Sequence, residues 1–302
     1  MADGSGDRLA ALLERPAAGE VRAGAPLVAL IHGLGGDENS VYLQSTSAHL
    51  LQRGYPVLRL NLRGAGPSRP WCREQYHAGR SEDLRDALAA VSSLLPPAGL
   101  VLVGFSLGGN MLLKFLAEHG STTHGLLGAV SVSAPIDLSR AAHRILETRN
   151  RFYHRHLLAG MKQEALADQT ISKEERRIVE EVTSIVDFDD RIVARRNGFA
   201  GAEDYYAKTH ARQFLSAIRV ETLVIHALDD PWIPAAAYTS FDWSSNPHLT
   251  PLLPSGGGHL GFHAQGSRIP WHDRCLEDFL ASLEGDAREL PSQVLAAIGG
   301  AR

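Results

Sequence analysis

A serine between two glycines is the first candidate for chemistry in this sequence. The segment Gly104-Phe105-Ser106-Leu107-Gly108 has G-x-S-x-G spacing and separates an apolar run (VLV, 101–103) from a helical pattern (NMLLKFLAEH, 110–119). A strand that turns abruptly into a helix strains the serine backbone and raises its hydroxyl above the sheet edge, and the flanking glycines avoid Cβ clashes. We therefore predict that Ser106 is the nucleophile of an acyl-transfer reaction. The alternative is a glycine-rich turn with an idle serine.

A serine hydroxyl needs a base, and one of the fourteen histidines stands out by its position. His259 lies in GGGHLGF (256–262), near the end of the predicted core, and the alternative is a histidine of a surface loop. An acid that orients the base is expected between the serine and the histidine, as in α/β-hydrolases. Asp230 follows TLVIHA (222–227) and begins D-x-x-I-P, which favours it as the acid. The adjacent Asp229 and the more distant Asp137 remain alternative acids.

Acyl transfer also requires hydrogen-bond donors for the oxyanion that forms on the substrate. The glycine-rich segment HGLGG (32–36) follows the first predicted core strand. In α/β-hydrolases the loop after such a strand provides one of these donors. We predict that the backbone N–H groups of Leu34 and Leu107 form the oxyanion hole, whereas a simple tight turn is the alternative for HGLGG. His32 and Asp37 also have the H-x-x-x-x-D spacing of some acyltransferases, a pattern that two residues meet easily by chance.

Short apolar runs alternate with helical patterns along the chain, which predicts an α/β fold with a mostly parallel, doubly wound sheet. Between 138 and 217 the sequence is rich in charges and helical periods, and Ser172 to Glu175 form a predicted capping box. We predict a helical cap inserted into one core. The predicted parts are an N-terminal extension (1–25), the first core part (26–137), the cap (138–217), the second core part (218–285) and a C-terminal tail (286–302).

The sequence also predicts the ends of two helices and the surroundings of three further side chains. We expect one helix to begin at Ser81 and to stop at the prolines 96 and 97, and the last helix to run from about 271 to 284. His77 is expected to be a loop histidine, although it could face the pocket. Tyr205 and Tyr206 are expected to pack the cap against the core, with a substrate wall as the alternative.

Composition narrows the classes of function. The chain has 302 residues, 44% hydrophobic residues and a net charge of −4, which predict a globular protein with no general attraction to nucleic acid. Two cysteines cannot form a disulfide framework or a cysteine-rich metal site, and no metal or organic cofactor is expected. Neither a signal peptide nor a membrane-spanning run is visible. We therefore expect a cytoplasmic protein, with peripheral membrane contact and oligomeric state left open.

Several segments together resemble a known family. In chain order they resemble the α/β-hydrolase fold and, more narrowly, the YheT-like esterase family, over roughly residues 25 to 285: HGLGGDENS, NLRGAG, GFSLGGNMLLKFL, HALDDPWIP and GGHLGF. That family includes bacterial hydrolases, animal lipid-acting homologues and fungal ethanol acyltransferase/esterases. The resemblance implies that Ser106 is the nucleophile, Asp230 the acid and His259 the base. Val220-Glu221 stand where the family often has a Lys-Pro pair, which leaves these three residues unaffected.

The resemblance and the motifs together predict a serine carboxylic ester hydrolase. Family members are described as carboxylesterases on short- to medium-chain acyl esters, and some also transfer the acyl group to an alcohol. The expected partner is thus a small acyl ester. An acyltransferase with the same three residues is one alternative. A non-catalytic scaffold is the other, because a fold does not by itself fix a function.

Overall fold

A seven-stranded sheet forms the centre of the computed structural model, which describes residues 1–168, 170–263 and 266–285. The strand order is β1-β3-β2-β4-β5-β6-β7. The strands β2 to β7 pair in parallel, and β1 pairs antiparallel with β3. The predicted C-terminal tail, 286–302, lies outside the described residues. The strands are β1 (Ala11–Glu14), β2 (Leu27–Ile31), β3 (Val57–Leu60), β4 (Leu100–Phe105), β5 (Leu126–Val132), β6 (Thr222–Ile225) and β7 (Leu249–Leu252).

The central strands are buried on both faces because their sequences are continuous apolar runs. In β2, Leu27, Ala29 and Ile31 belong to one apolar cluster, and Val28 and Leu30 belong to another. This alternation shows that helices cover both faces of the sheet. The prediction of an α/β fold with a mostly parallel sheet is therefore confirmed.

The described residues contain ten α-helices: α1 (Val41–Gln52), α2 (Ser81–Ala90), α3 (Leu107–His119), α4 (Leu138–Ile145), α5 (Arg151–Leu166), α6 (Lys173–Glu181), α7 (Ile185–Phe188), α8 (Ala202–Thr209), α9 (Ala236–Thr239) and α10 (Trp271–Leu283). The helix predicted from Ser81 ends at Ala90, and a 3-10 turn at Ser92–Leu94 completes the path to the prolines. None of the described helices combines the length and the apolar character that a bilayer crossing would require.

The N-terminal residues take part in the sheet, a role that the sequence did not reveal. The strand β1 adds to the edge of the sheet beside β3, with Ala11 opposite Leu60. Its four residues are exposed or half-buried, so no continuous apolar run marks them. Further along, the guanidinium of Arg63, only 1% exposed, bonds to the buried carboxylates of Asp7 and Asp83. This buried ion cluster ties the N-terminal segment to the core.

Helices α4 to α8 lie in the segment 138–217. The described residues of this segment contain no strand, in agreement with the sequence analysis. The predicted capping box is confirmed, because Ser172 and Glu175 exchange side-chain and backbone hydrogen bonds. Ten buried residues between Ile145 and Ile192 form an apolar cluster of their own. Leu34 and Trp232, which belong to loops at the sheet edge, pack against that cluster. The segment is thereby placed over the carboxyl ends of the strands.

Candidate active site

The turn after β4 has the geometry of a nucleophile elbow. Ser106 has φ 50° and ψ −122°, a left-handed conformation that is costly for a residue with a side chain, and α3 begins at the next residue. The Ser106 N–H donates to the carbonyl of Val132 on the neighbouring strand, at 2.8 Å. The strained turn is thus held by the sheet itself.

The two glycines of the motif are required by close backbone contacts. A Cβ atom at Gly104 would lie 2.7 Å from the Gly108 carbonyl oxygen, and one at Gly108 would lie 2.3 Å from the His32 carbonyl oxygen. Both distances are far below ordinary van der Waals contact, so larger residues would force α3 away from β2 and β4. The same packing brings the HGLGG segment beside the serine, because a Cβ at Gly33 would lie 3.0 Å from Ser106 Cβ.

Three predicted residues lie in one chain of hydrogen bonds. His259 Nε2 is 2.9 Å from Ser106 Oγ, and His259 Nδ1 is 2.8 Å from Asp230 Oδ2. The Asp230 side chain is fully buried, and the His259 side chain is 8% exposed. In this arrangement the carboxylate can hold the Nδ1–H tautomer, which leaves Nε2 free to accept the serine proton.

The loop after β6 distinguishes the two neighbouring aspartates. Asp230 Oδ1 accepts the backbone N–H groups of Trp232 and Ile233 at 2.8 and 3.1 Å, which fixes its carboxylate toward His259. Asp229 instead accepts the N–H of Gly258 at 2.8 Å, one residue before the histidine. The geometry therefore favours Asp230 as the partner of the imidazole, while Asp229 supports the loop that carries it.

Leu34 and Leu107 carry the backbone N–H groups that are predicted to form the oxyanion hole. Both residues line the same cavity as the serine. The N–H groups that flank Leu34 are occupied, because Gly33 donates to the Tyr42 hydroxyl at 2.9 Å and Gly35 to the Tyr76 hydroxyl at 2.6 Å. Among the described residues, no acceptor is bonded to the N–H of Leu34 or of Leu107. These two donors are therefore not engaged by other groups of the described chain.

Three other candidate residues, His32, Asp137 and His77, make contacts that support the fold. His32 is fully buried, with Nδ1 2.8 Å from the Gly33 carbonyl oxygen and Nε2 accepting the Leu62 N–H at 3.0 Å, and its burial lowers the pKa to about 4. Both nitrogens are thus engaged by backbone, which does not suit an acid or base. Asp137 caps α4 by accepting the Arg140 N–H. His77 packs edge-on against Phe199 and Tyr205, outside the cavity lining.

An apolar cavity of about 120 Å³ adjoins Ser106 and His259. Helices α4, α5 and α7 supply most of its aliphatic wall, and both Tyr205 and Tyr206 line it, so the tyrosines pack the segment and also face the cavity. Among the lining residues that sequence analysis did not single out are Trp232 and Asp189. The position of Trp232 inside the D-x-x-I-P loop was a usable signal, whereas Asp189 lies in a charged stretch that gave none.

Comparison with known proteins identifies the family of the chain. A family model described as "alpha/beta hydrolase fold" matches residues 26–264. The chain belongs to the α/β-hydrolase family. Within it the chain is YheT-like, since it is 33% identical to YheT of Escherichia coli (strain K12), over 83% of this chain and 78% of that protein.

Relatives named as a lipase and a phospholipase are less similar in sequence. A monoacylglycerol lipase of Saccharomyces cerevisiae is 26% identical over 84% of this chain, and phospholipase ABHD3 of Mus musculus is 25% identical over 88%. The chain spans 59% and 66% of the lengths of these two proteins, respectively. The structure of Est1E from Butyrivibrio proteoclasticus superposes with a TM-score of 0.59 at 15% identity, over 92% of this chain and 96% of that one. That likeness shows the shared fold.

Proposed function

We propose that this protein is a serine carboxylic ester hydrolase that acts on short- to medium-chain acyl esters. The observation that carries the proposal is the continuous hydrogen-bond chain from Asp230 through His259 to Ser106 at the floor of an apolar cavity. Relatives named as a lipase and a phospholipase support ester hydrolysis. The small volume of the cavity supports a short acyl chain.

The reaction has two steps. In the first, His259 takes the Ser106 proton while the hydroxyl oxygen attacks the ester carbonyl, and the N–H groups of Leu34 and Leu107 stabilise the oxyanion. His259 then returns the proton to the departing alcohol, which leaves an acyl-enzyme on Ser106. In the second step the same imidazole activates water, which attacks the acyl-enzyme and releases the acid. The segment 138–217 acts as a cap that limits acyl length by closing the cavity.

The test is a graded series of p-nitrophenyl esters measured with the wild-type protein and with Ser106→Ala. We expect an optimum at a short or medium acyl chain, and a loss of at least about 10⁴-fold in kcat for the variant, because only the oxyanion hole and binding remain. A fluorophosphonate probe should label the wild type and not the variant. Full activity in Ser106→Ala would refute the proposal, and failure of both turnover and labelling would favour a non-catalytic scaffold.

An acyltransferase would use the same acyl-enzyme. If an alcohol competes with water in the second step, the product changes from an acid to a new ester. Adding ethanol to the assay and measuring acid and ethyl ester separately distinguishes the two. We expect acid as the main product.

A further inference from the structure

A carboxyl group that the proposed mechanism does not use lies in the wall of the active-site cavity. Asp189 lines the same cavity as Ser106 and is 8% exposed. It is the first residue of a π-helical turn, Asp189–Ala194, that continues α7. Such turns are rare and occur frequently at functional sites. These two observations make Asp189 a candidate for a functional role.

The contacts of Asp189 leave its carboxyl partly unsatisfied. The Tyr206 hydroxyl donates to Oδ2 at 2.6 Å, and the described hydrogen bonds give Oδ1 no donor. The neighbouring Tyr205 hydroxyl accepts the Ala78 N–H, and the described hydrogen bonds do not join it to Asp189. No lysine or arginine lines the described part of the cavity, and burial raises the pKa of Asp189 to about 7. Oδ1 thus has capacity for a further hydrogen bond on a side chain that lines the cavity.

Burying the Asp189 carboxyl in an apolar wall costs free energy unless a ligand forms a hydrogen bond with it. Nearby lining residues such as Leu138, Ile145, Met161 and Ile185 are apolar, so a plain alkyl group would be served better by another aliphatic side chain. The acid of the catalytic chain is Asp230, which leaves no catalytic task for a second carboxyl there. A polar group in an otherwise apolar pocket fixes orientation and specificity.

We propose that Asp189 binds a hydroxyl group of the ester substrate, so that the enzyme prefers hydroxylated esters over plain alkyl esters. This inference rests on the proposed function. A hydroxyl can donate to the ionised carboxylate and accept from the protonated acid, whereas an ammonium group can pair only with the carboxylate. Moving an ammonium group out of water into an apolar cavity also costs far more than moving a hydroxyl.

The hydroxyl can belong to the acyl chain or to the alcohol part of the ester, and two sets of substrates distinguish these cases. The first compares ethyl hexanoate with its 3-, 5- and 6-hydroxy derivatives, and the second compares propyl butyrate with glycerol monobutyrate. For at least one hydroxylated ester we expect kcat/KM to exceed that of the plain ester by about tenfold or more, the range of a hydrogen bond to a charged group. The corresponding methoxy ester should lose most of that preference when the carboxyl is ionised, at pH 8.

Substitutions assign the preference to this side chain. In Asp189→Leu the ratio of the two kcat/KM values should fall to about one, while the plain ester is still hydrolysed. In Asp189→Asn, which keeps the shape and one acceptor oxygen, the ratio should be intermediate, and this variant covers the case in which the leucine variant does not fold. Asp190→Asn is the matched control, because the same change is made at the exposed neighbour, which accepts the Ala202 N–H outside the cavity. Its ratio should equal that of the wild type.

The possible failures are distinguishable. If the wild type hydrolyses plain esters and favours no hydroxylated ester, the inference is wrong and the proposed function stands. If butyrylcholine is preferred over its neutral isostere 3,3-dimethylbutyl butyrate by a margin that Asp189→Leu abolishes, the carboxyl binds a cation and the inference is overturned. If no ester is hydrolysed and Ser106 is not labelled, the proposed function itself fails.

Discussion

The indole ring of Trp232 lies against the imidazole ring of His259, with 4.3 Å between the ring centroids and 39° between the ring planes. The Trp232 backbone N–H also donates to Asp230 Oδ1 at 2.8 Å. A single residue therefore restricts the imidazole from one side and fixes the carboxylate that orients it. Trp232 also lines the cavity, so its ring shields the base from water.

Replacing Trp232 by alanine should impair catalysis without removing any reacting group. The backbone bond to Asp230 survives, but the imidazole gains freedom and water enters beside it. We expect kcat/KM for a p-nitrophenyl ester to fall roughly tenfold to hundredfold, the cost of a poorly positioned catalytic group. Trp232→Phe retains an aromatic ring and should lose less. Equal activity of the alanine variant and the wild type would show that the ring contact does not position His259.

The two neighbouring aspartates should differ sharply when each is changed to asparagine. In Asp230→Asn the amide can no longer stabilise the Nδ1–H tautomer and the imidazolium of His259, so kcat should fall by about 10⁴-fold. In Asp229→Asn the amide oxygen can still accept the Gly258 N–H, so kcat/KM should fall less than about tenfold.

This pair is its own control, because both variants change one charge at adjacent positions. Activity and fluorophosphonate labelling rates should be measured at one pH, with circular dichroism to verify folding. A larger loss in Asp229→Asn than in Asp230→Asn would contradict the assignment of the acid.

The elements around Ser106 were predictable because local sequence determines them. The elbow motif spans five consecutive positions. A Cβ atom at Gly104 would lie 2.7 Å from the carbonyl oxygen of Gly108, within the motif, and one at Gly108 would lie 2.3 Å from that of His32, on the neighbouring strand end. The proximity of Asp230 and His259 to Ser106 could be predicted from the topology of the sheet. Parallel strands end at the same sheet edge, and the loops that follow them meet there. The meeting of residues 153 positions apart follows from that topology.

Asp189 and β1 were not predictable for physical reasons. Asp189 sits in a run of charged residues, and its burial results from tertiary contacts with α8 that no local pattern records. The strand β1 is a short edge strand whose side chains are exposed or half-buried, so no apolar run marks it. In both cases the decisive partner is distant in sequence.

The buried carboxyl of Asp189 should make stability depend on pH in a defined direction. Its pKa of about 7 in the folded protein lies above the value of about 3.9 for an unfolded aspartate, so the folded state holds the proton more tightly. The contribution of Asp189 to stability is fully present below pH 4 and is lost as pH rises to 7. Asp189→Asn removes this loss, so the variant should gain stability over the wild type between pH 4 and 7, by roughly 1–4 kcal/mol at pH 7 and above.

Urea denaturation of both proteins at pH 5, 6, 7 and 8 measures this difference directly. Comparing variant with wild type at each pH cancels the contributions of titrating groups elsewhere in the protein. Burial raises the pKa of Tyr205 and of Tyr206 in the cavity, so both stay protonated over this range. Asp190→Asn, at the exposed neighbour, should show no comparable trend. A difference between Asp189→Asn and wild type that stays constant over this pH range would contradict the raised pKa.

The buried ion cluster at the N-terminus should contribute strongly to stability. Arg63 bonds to Asp83 through two nitrogens, at 2.9 and 2.6 Å, and to Asp7 at 3.0 Å. Arg63→Leu would leave two buried carboxylates without their cation, so the free energy of unfolding should fall by about 3–5 kcal/mol. Chemical denaturation measures the loss. Limited proteolysis should cut the first ten residues faster, because the bonds from Arg63 to Asp3, Ser5 and Asp7 are lost.

The matched control is Arg85→Leu, which removes an arginine that is paired with Asp86 at 2.8 Å and has a side chain 46% exposed. Water screens that pair, so the change should cost less than about 1 kcal/mol. Similar losses in the two variants would mean that burial adds nothing to the Arg63 cluster. Faster proteolysis without a change in the free energy of unfolding would contradict the prediction. It would mean that Arg63 holds the N-terminal residues in place but does not stabilise the core.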